Sequence, residues 1–181
     1  MHDSFASLLK TPTAQRYKRA RLLLLTTASL TDFSLALAQL EALLAANEFT
    51  LAQEQVRNLK SAGLLSLKWH RLAGMLALQL GDTNRAQLHK FTFEALRSAI
   101  LATGQGTRKR PYFITYSSDA HELLLAGGAS VQSQSLVEER EHRYDVHLCA
   151  NEREYWFDIT DLVPVTAMVA VRKRRPKAIS R

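Results

Sequence analysis

Helices first and a small β unit after them make this chain an α+β protein of antiparallel helical hairpins followed by an antiparallel β-meander with one short helix. Three observations predict that class. Apolar residues recur at helical spacing through residues 11–103, and short breaks between the runs force neighbouring helices to be antiparallel. The chain then breaks at Gly104-Gln105-Gly106-Thr107. Beyond that break, in residues 104–162, apolar and polar residues alternate with period two.

Thr11-Pro12 reads as a helix start, with proline at the first helical position and Ala14, Tyr17, Leu22 and Leu25 following. Thr31-Asp32 caps a second helix running to Ala46 and carrying Phe33, Leu37, Leu40 and Leu44. After Asn47-Glu48, a third helix with Leu51, Ala52, Val56 and Leu59 ends at Gly63, read as a left-handed C-cap. A fourth holds Leu65, Trp69, Leu72, Leu76 and Leu80 and stops at Gly81-Asp82; a fifth spans about Thr83 to Thr103. In the second half, Tyr112 to Tyr116 reads as a strand and Ser118-Asp119 as the cap of a brief helix, His121 to Ala126, ended by Gly127-Gly128. Ser130 to Glu138, Arg143 to Ala150 and Arg153 to Thr160 complete a meander, with turns at Glu141-His142 and Asn151-Glu152.

Apolar residues form 46% and charged residues 23% of the 181, an ordinary globular composition. The formal charge of +7 is concentrated at the ends. Residues 172–181 hold Arg172, Lys173, Arg174, Arg175, Lys177 and Arg181 without an acid, and removing them leaves +1. Lys10 to Arg21 holds five more cations, so the remainder is about −4 and no uniformly basic nucleic-acid face is expected. The basic, proline-containing tail reads as disordered, with electrostatic contact to nucleic acid through Arg172, Lys173, Arg174, Arg175 and Lys177 as the alternative. The single Cys149 and the lack of a signal-peptide pattern point to a reducing, cytoplasmic setting. No apolar run, including Val163 to Val171, is long enough to span a bilayer.

A shift of 34 residues lays Asn47 to Gln53 onto Gly81 to Gln87, Leu44 onto Leu78 and Leu59 onto Phe93. That is the period of the tetratricopeptide repeat, and Gly74 to Ala86 resembles the family: a glycine in the first helix, a Gly-Asp turn, an alanine in the second. The usual aromatic position holds Lys90, and the earlier copy has Leu40 for the glycine. An ordinary helical bundle is the competing reading. Further on, Ala102 to Thr107, Tyr112-Phe113-Ile114, Gln134 to Val137, Tyr144-Asp145-Val146 and Tyr155 to Ile159 together resemble a bacterial family of unknown function. Its members often carry tetratricopeptide-like helices ahead of this region. The resemblance covers about 60 residues of the 181, departs at Pro111-Tyr112 and Ala120-His121, and implies an architecture without an activity.

No catalytic residue, cofactor or metal ligand set is assigned. Arg108, Lys109 and Arg110 after the glycine loop invite an anion contact, but a phosphate loop needs a strand before it and a helix after it, the reverse of the order here. Asp145 and His147, two apart on a strand, share a polar face that reads as solvated. The expected function is a non-enzymatic module binding another protein or a peptide. Alternatives are an enzyme with a site between helices and sheet, using Asp145, His147 or the Arg108 to Arg110 cluster, and a nucleic-acid-associated protein acting through its basic ends.

Overall fold

The structure is a computed structural model in which residues 2–27 and 32–162 are described. Among them, α1 (His2–Lys10), α2 (Ala14–Thr27), α3 (Phe33–Ala45), α4 (Phe49–Asn58), α5 (Lys60–Gly63), α6 (Leu67–Gln79) and α7 (Thr83–Leu101) come first. β1 (Tyr112–Phe113), α8 (Ser117–Ala126), β2 (Val131–Glu139), β3 (His142–Cys149) and β4 (Glu154–Asp158) follow. No described helix is long and apolar enough to cross a membrane. The α+β class is as the periodicity predicts.

Several local expectations change. α1 was not expected; its Leu8 is fully buried, with Phe5 and Leu9 half-buried at helical spacing. α2 starts two residues late, because Thr13 and not Thr11 caps it: Thr13 Oγ1 accepts from the Arg16 amide at 3.4 Å. The third predicted helix is split at Leu59 into α4 and α5. Gly63 is not in the left-handed region; its missing Cβ makes room for the Trp69 ring, which any side chain there would strike.

The two turns placed in register by the 34-residue shift have the same geometry, bond for bond. Asn47 has φ 60° and Gly81 φ 74°, each just past a helix end. The Glu48 amide donates to the Leu43 carbonyl at 2.9 Å, and the Asp82 amide to the Ala77 carbonyl at 2.8 Å. The Asn47 amide donates to Leu44 and the Gly81 amide to Leu78, at 3.1 and 3.0 Å. These paired bonds define the same Schellman ending in α3 and α6, and each hands the chain directly to an antiparallel helix. Close approach of α6 and α7 falls at Gly74, where a Cβ would stand 3.3 Å from that of His89.

The sheet order is β1-β4-β3-β2. β2, β3 and β4 form the antiparallel meander, and β1 adds a parallel edge on β4, so the sheet is mixed. The β2–β3 turn is Arg140-Glu141, one residue earlier than expected, with Arg140 at φ 55°. β1 stops at Phe113 because Thr115 and Tyr116 turn inward: Tyr17 Oη and Thr115 Oγ1 lie 2.8 Å apart, and the Tyr116 hydroxyl donates to the Ala62 carbonyl. Arg21 clamps the same segment, its Nε donating to the Ile114 carbonyl at 3.0 Å and its Nη1 pairing with Asp161 at 3.1 Å. One continuous core runs from Leu8 through Leu72 and Leu96 to Cys149 and Phe157, joining helices and sheet.

The expected solvated face of β3 is a second correction. Asp145 and His147 are buried at 4% and 3% exposure, with Cys149 between sheet and helices. Register explains it: Asp145 stands opposite Phe157, a fully buried core residue, so both belong to the face that packs on the helices.

Candidate functional site

An opening of about 770 Å³ is a groove walled by α1, α4, α6 and α7. Its floor is the small-residue stripe of α6, where Ala73, Leu76 and Ala77 recur at i, i+3 and i+4 and keep the helix surface low. Val56 of α4 and Phe5 of α1 supply apolar walls, while Leu88 of α7 stands at the mouth with 60% of its surface exposed. An apolar side chain held in water beside a ready-made apolar floor is surface that a partner can bury. Arg57, Lys60 and Arg85 ring the groove. Arg85 is paired with Asp82 at 3.5 Å, and Asp82 is the one carboxylate among the lining residues.

Deep in this groove a polar cluster interrupts the apolar wall. His70 of α6 and His89 of α7 meet Nδ1 to Nδ1 at 3.0 Å, and His70 Nε2 lies 3.2 Å from the Leu64 carbonyl. A carbonyl only accepts, so His70 carries its proton on Nε2 and its bare Nδ1 accepts from His89 Nδ1–H. His89 Nε2 is then left as an acceptor. Burial holds His70 far below the ordinary histidine range, at about 3, and burial together with the Arg85 charge lowers His89. Both rings are edge-on to Trp69, at 4.8 and 5.2 Å between centroids. The Trp69 indole N–H is buried and has no hydrogen-bond partner among the described residues. An orphan donor of this kind costs about 1–3 kcal/mol, which a ligand carbonyl would recover.

The residues singled out in the sequence lie elsewhere. Arg108, Lys109 and Arg110 sit on a tight turn closed by the Thr107–Arg110 bridge. Arg108 pairs with Glu139 at 2.6 Å and lies over the Trp156 ring, so its charge is engaged by the sheet. Gly104 and Gly106 serve this turn: a Cβ on Gly104 would strike the Pro111 carbonyl, and Gly106 adopts φ 66°. Asp145 and His147 do come together, Oδ2 to Nε2 at 3.0 Å, beneath α8. The tail cations Arg172, Lys173, Arg174, Arg175 and Lys177 lie outside the described residues. Among those that are described, no three His, Cys, Asp or Glu side chains cluster to hold a metal ion.

His70, His89 and Trp69 were not separated from core residues by sequence reasoning. The available signal was a histidine on the apolar stripe of each of two successive helices, nineteen residues apart. Comparison with known protein families, with curated proteins and with solved structures gives no match for this chain.

Proposed function

We propose that this chain is a non-enzymatic interaction module whose helical groove binds a short amphipathic peptide segment with acidic flanks. The observation that carries the reading is the groove itself, apolar along its floor and basic around its rim, with Leu88 exposed at its mouth. An inserted segment would bury Leu88 and the floor of α6, which supplies affinity. Arg57 and Lys60 make no ion pair with any described carboxylate and are free to meet Asp or Glu beside the apolar anchors. The Trp69 indole N–H and His89 Nε2 offer one donor and one acceptor to the backbone of the bound segment.

The matching turns at Asn47 and Gly81 support reading α3–α4 and α6–α7 as two copies of a tetratricopeptide-like hairpin, the class whose grooves take peptides. The docked α1 and the sheet then do for two hairpins what further repeats do in a longer array, covering the exposed end of the stack.

Selection of displayed twelve-residue peptides against the whole chain tests this. Enriched sequences should carry two large apolar residues three or four apart with Asp or Glu beside them. Leu88→Asp, at a position already in water, should abolish their binding without changing the melting temperature. Arg57→Glu with Lys60→Glu should weaken it steeply at low salt. Peptides that bind the Leu88→Asp variant as well as the parent chain would overturn the reading.

A further inference from the structure

Three helices begin at one place. Ser34 is the second residue of α3, Lys68 the second of α6, and Ser117 and Ser118 the first two of α8; all four line a single cavity of about 300 Å³ between these helices and the sheet. A helix start projects unpaired amides and a partial positive charge, so first turns gathered around one volume favour an anion there. His121 and His147 add two imidazoles to the wall, Gln134 an amide, and no carboxylate lines it.

Part of this positive end is already answered from inside the protein. Asp119 accepts from the Leu67 amide at 2.9 Å and from the Tyr116 amide at 3.3 Å, tying the starts of α6 and α8 together. Ser66 Oγ accepts from the Trp69 amide at 3.2 Å. The Lys68 amide also bonds Asp119, so the amides left over belong to α3 and α8. Among the described residues, the Asp32 side chain caps nothing at the start of α3, and the Ser117 and Ser118 amides donate to no backbone carbonyl.

One buried ring, His147, points to a ligand independently of the helix ends, and the buried hydroxyl of the partly exposed Ser118 adds to it. Ser118 Oγ is buried without a hydrogen-bond partner among the described residues. His147, 3% exposed, has no aligned hydrogen bond at either ring nitrogen. Its Nε2 lies 3.0 Å from Asp145 Oδ2, too oblique for a bond, and its Nδ1 is bare. Asp145 is itself held behind the ring by Gln134 Nε2, at 2.8 and 2.9 Å to its two oxygens. Lys68 is steadied by Glu41 at 2.7 Å, on the solvent side, where the carboxylate is half exposed. None of the nearby acids, Asp145, Glu41 and Asp119, lines the cavity, and each bonds a lining residue or the start of α6 or α8.

We propose that this cavity binds the phosphate group of a small molecule, seated on the first turn of α8 between Lys68 and His147. The donors fit a tetrahedral oxyanion: the Ser117 and Ser118 amides, the hydroxyls of Ser34, Ser117 and Ser118, the Lys68 ammonium and the His147 ring. The volume sets the size, since about 300 Å³ is the lower end of small-molecule pockets and excludes a polymer or a dinucleotide. The site is separate from the peptide groove, which lies on another side of α6, and does not depend on it.

Titration of the full ¹⁵N-labelled chain at constant ionic strength, once with inorganic phosphate and once with glycerol phosphate, decides the matter. The amide signals of Ser117, Ser118 and Lys68 should move saturably with one or both ligands, the tighter of the two showing whether the phosphate is free or esterified. Lys68→Gln and Ser118→Ala should each weaken binding by about tenfold, the loss expected for one hydrogen bond to a charged group. Shifts confined to residues 172–181, or an unchanged dissociation constant in both variants, would assign any binding to the basic tail and overturn the site. Acetate saturating the same amides equally well would overturn the choice of phosphate. The Ser118→Ala arm stands by itself if the lysine variant fails to fold, because the serine hydroxyl bonds nothing among the described residues.

Discussion

His70 and His89 share one proton-bearing contact, Nδ1 to Nδ1 at 3.0 Å, and the Leu64 carbonyl fixes which ring donates. The arrangement works only while His70 is neutral, because its Nδ1 is the acceptor. Protonating His70 on Nδ1 would put two N–H groups face to face inside a buried wall.

A pH dependence of stability follows. The folded-state value for His70 is about 3, whereas the unfolded chain titrates near the ordinary 6.5. Between those values the unfolded state binds the extra proton, so stability is complete above about pH 6.5 and falls as pH drops toward 3. His89, also lowered, adds to the same slope. Urea unfolding midpoints should decline from pH 7 to pH 5, by about 1.4 kcal/mol per pH unit for each histidine at most. His70→Asn should flatten that decline; an equally steep one in the variant would show that other groups cause it.

Arg71 grips Glu122 with Nε at 3.0 and 2.8 Å and Nη2 at 2.9 Å, holding a carboxylate of which 4% remains exposed. The contact joins α6 to α8 across the helix–sheet boundary. Arg71→Ala leaves the charge buried without a partner and should cost about 3–5 kcal/mol. Arg71→Met with Glu122→Leu should recover most of that loss. Chemical denaturation of the two variants measures both, and a loss under about 1 kcal/mol for Arg71→Ala would mean Glu122 finds water.

Gly63 lies directly against Trp69, whose ring atoms occupy the space a Cβ would need. Gly63→Ala should destabilise by about 1–3 kcal/mol through overpacking, although alanine favours a helix. Because Trp69 abuts the histidine pair, the variant should also shift the tryptophan emission maximum. A stability gain in thermal denaturation would show that the ring moves aside freely.

Tyr17 ties α2 to the chain after β1 through Thr115, Oη to Oγ1 at 2.8 Å, and burial pushes its phenol well above the usual tyrosine range. Tyr17→Phe removes the bond while keeping the packing, and should cost about 1 kcal/mol in denaturant midpoint. Tyr17→Phe with Thr115→Val should be close to neutral, since both polar partners are then gone. A double variant worse than the single one would place the hydroxyl of Thr115 in another role.

How far the sequence reaches is clearest at three residues. Asp145 and His147 could be put on the same face of β3 by counting, because side chains alternate strictly along a strand. Counting along β3 alone favoured the Tyr144, Val146 and Leu148 face as the inner one; pairing of Asp145 with Phe157, on the aromatic face of β4, set the Asp145 face inward. Asp119 looked like a local cap for α8, and it does accept from Tyr116, but its other oxygen serves Leu67, fifty-two positions earlier. Apart from α1 and the split at Leu59, the sequence by itself determined the helical runs, the break at Gly104, the meander and the turns at Asn47 and Gly81, all of which depend on periodicity or on backbone freedom within a few residues. Tertiary structure alone decided that His70 meets His89, that Gly63 yields to Trp69 and that three helix starts share one cavity. Those relations join segments through space, and neither local propensity nor spacing along the chain encodes which buried polar groups will face each other.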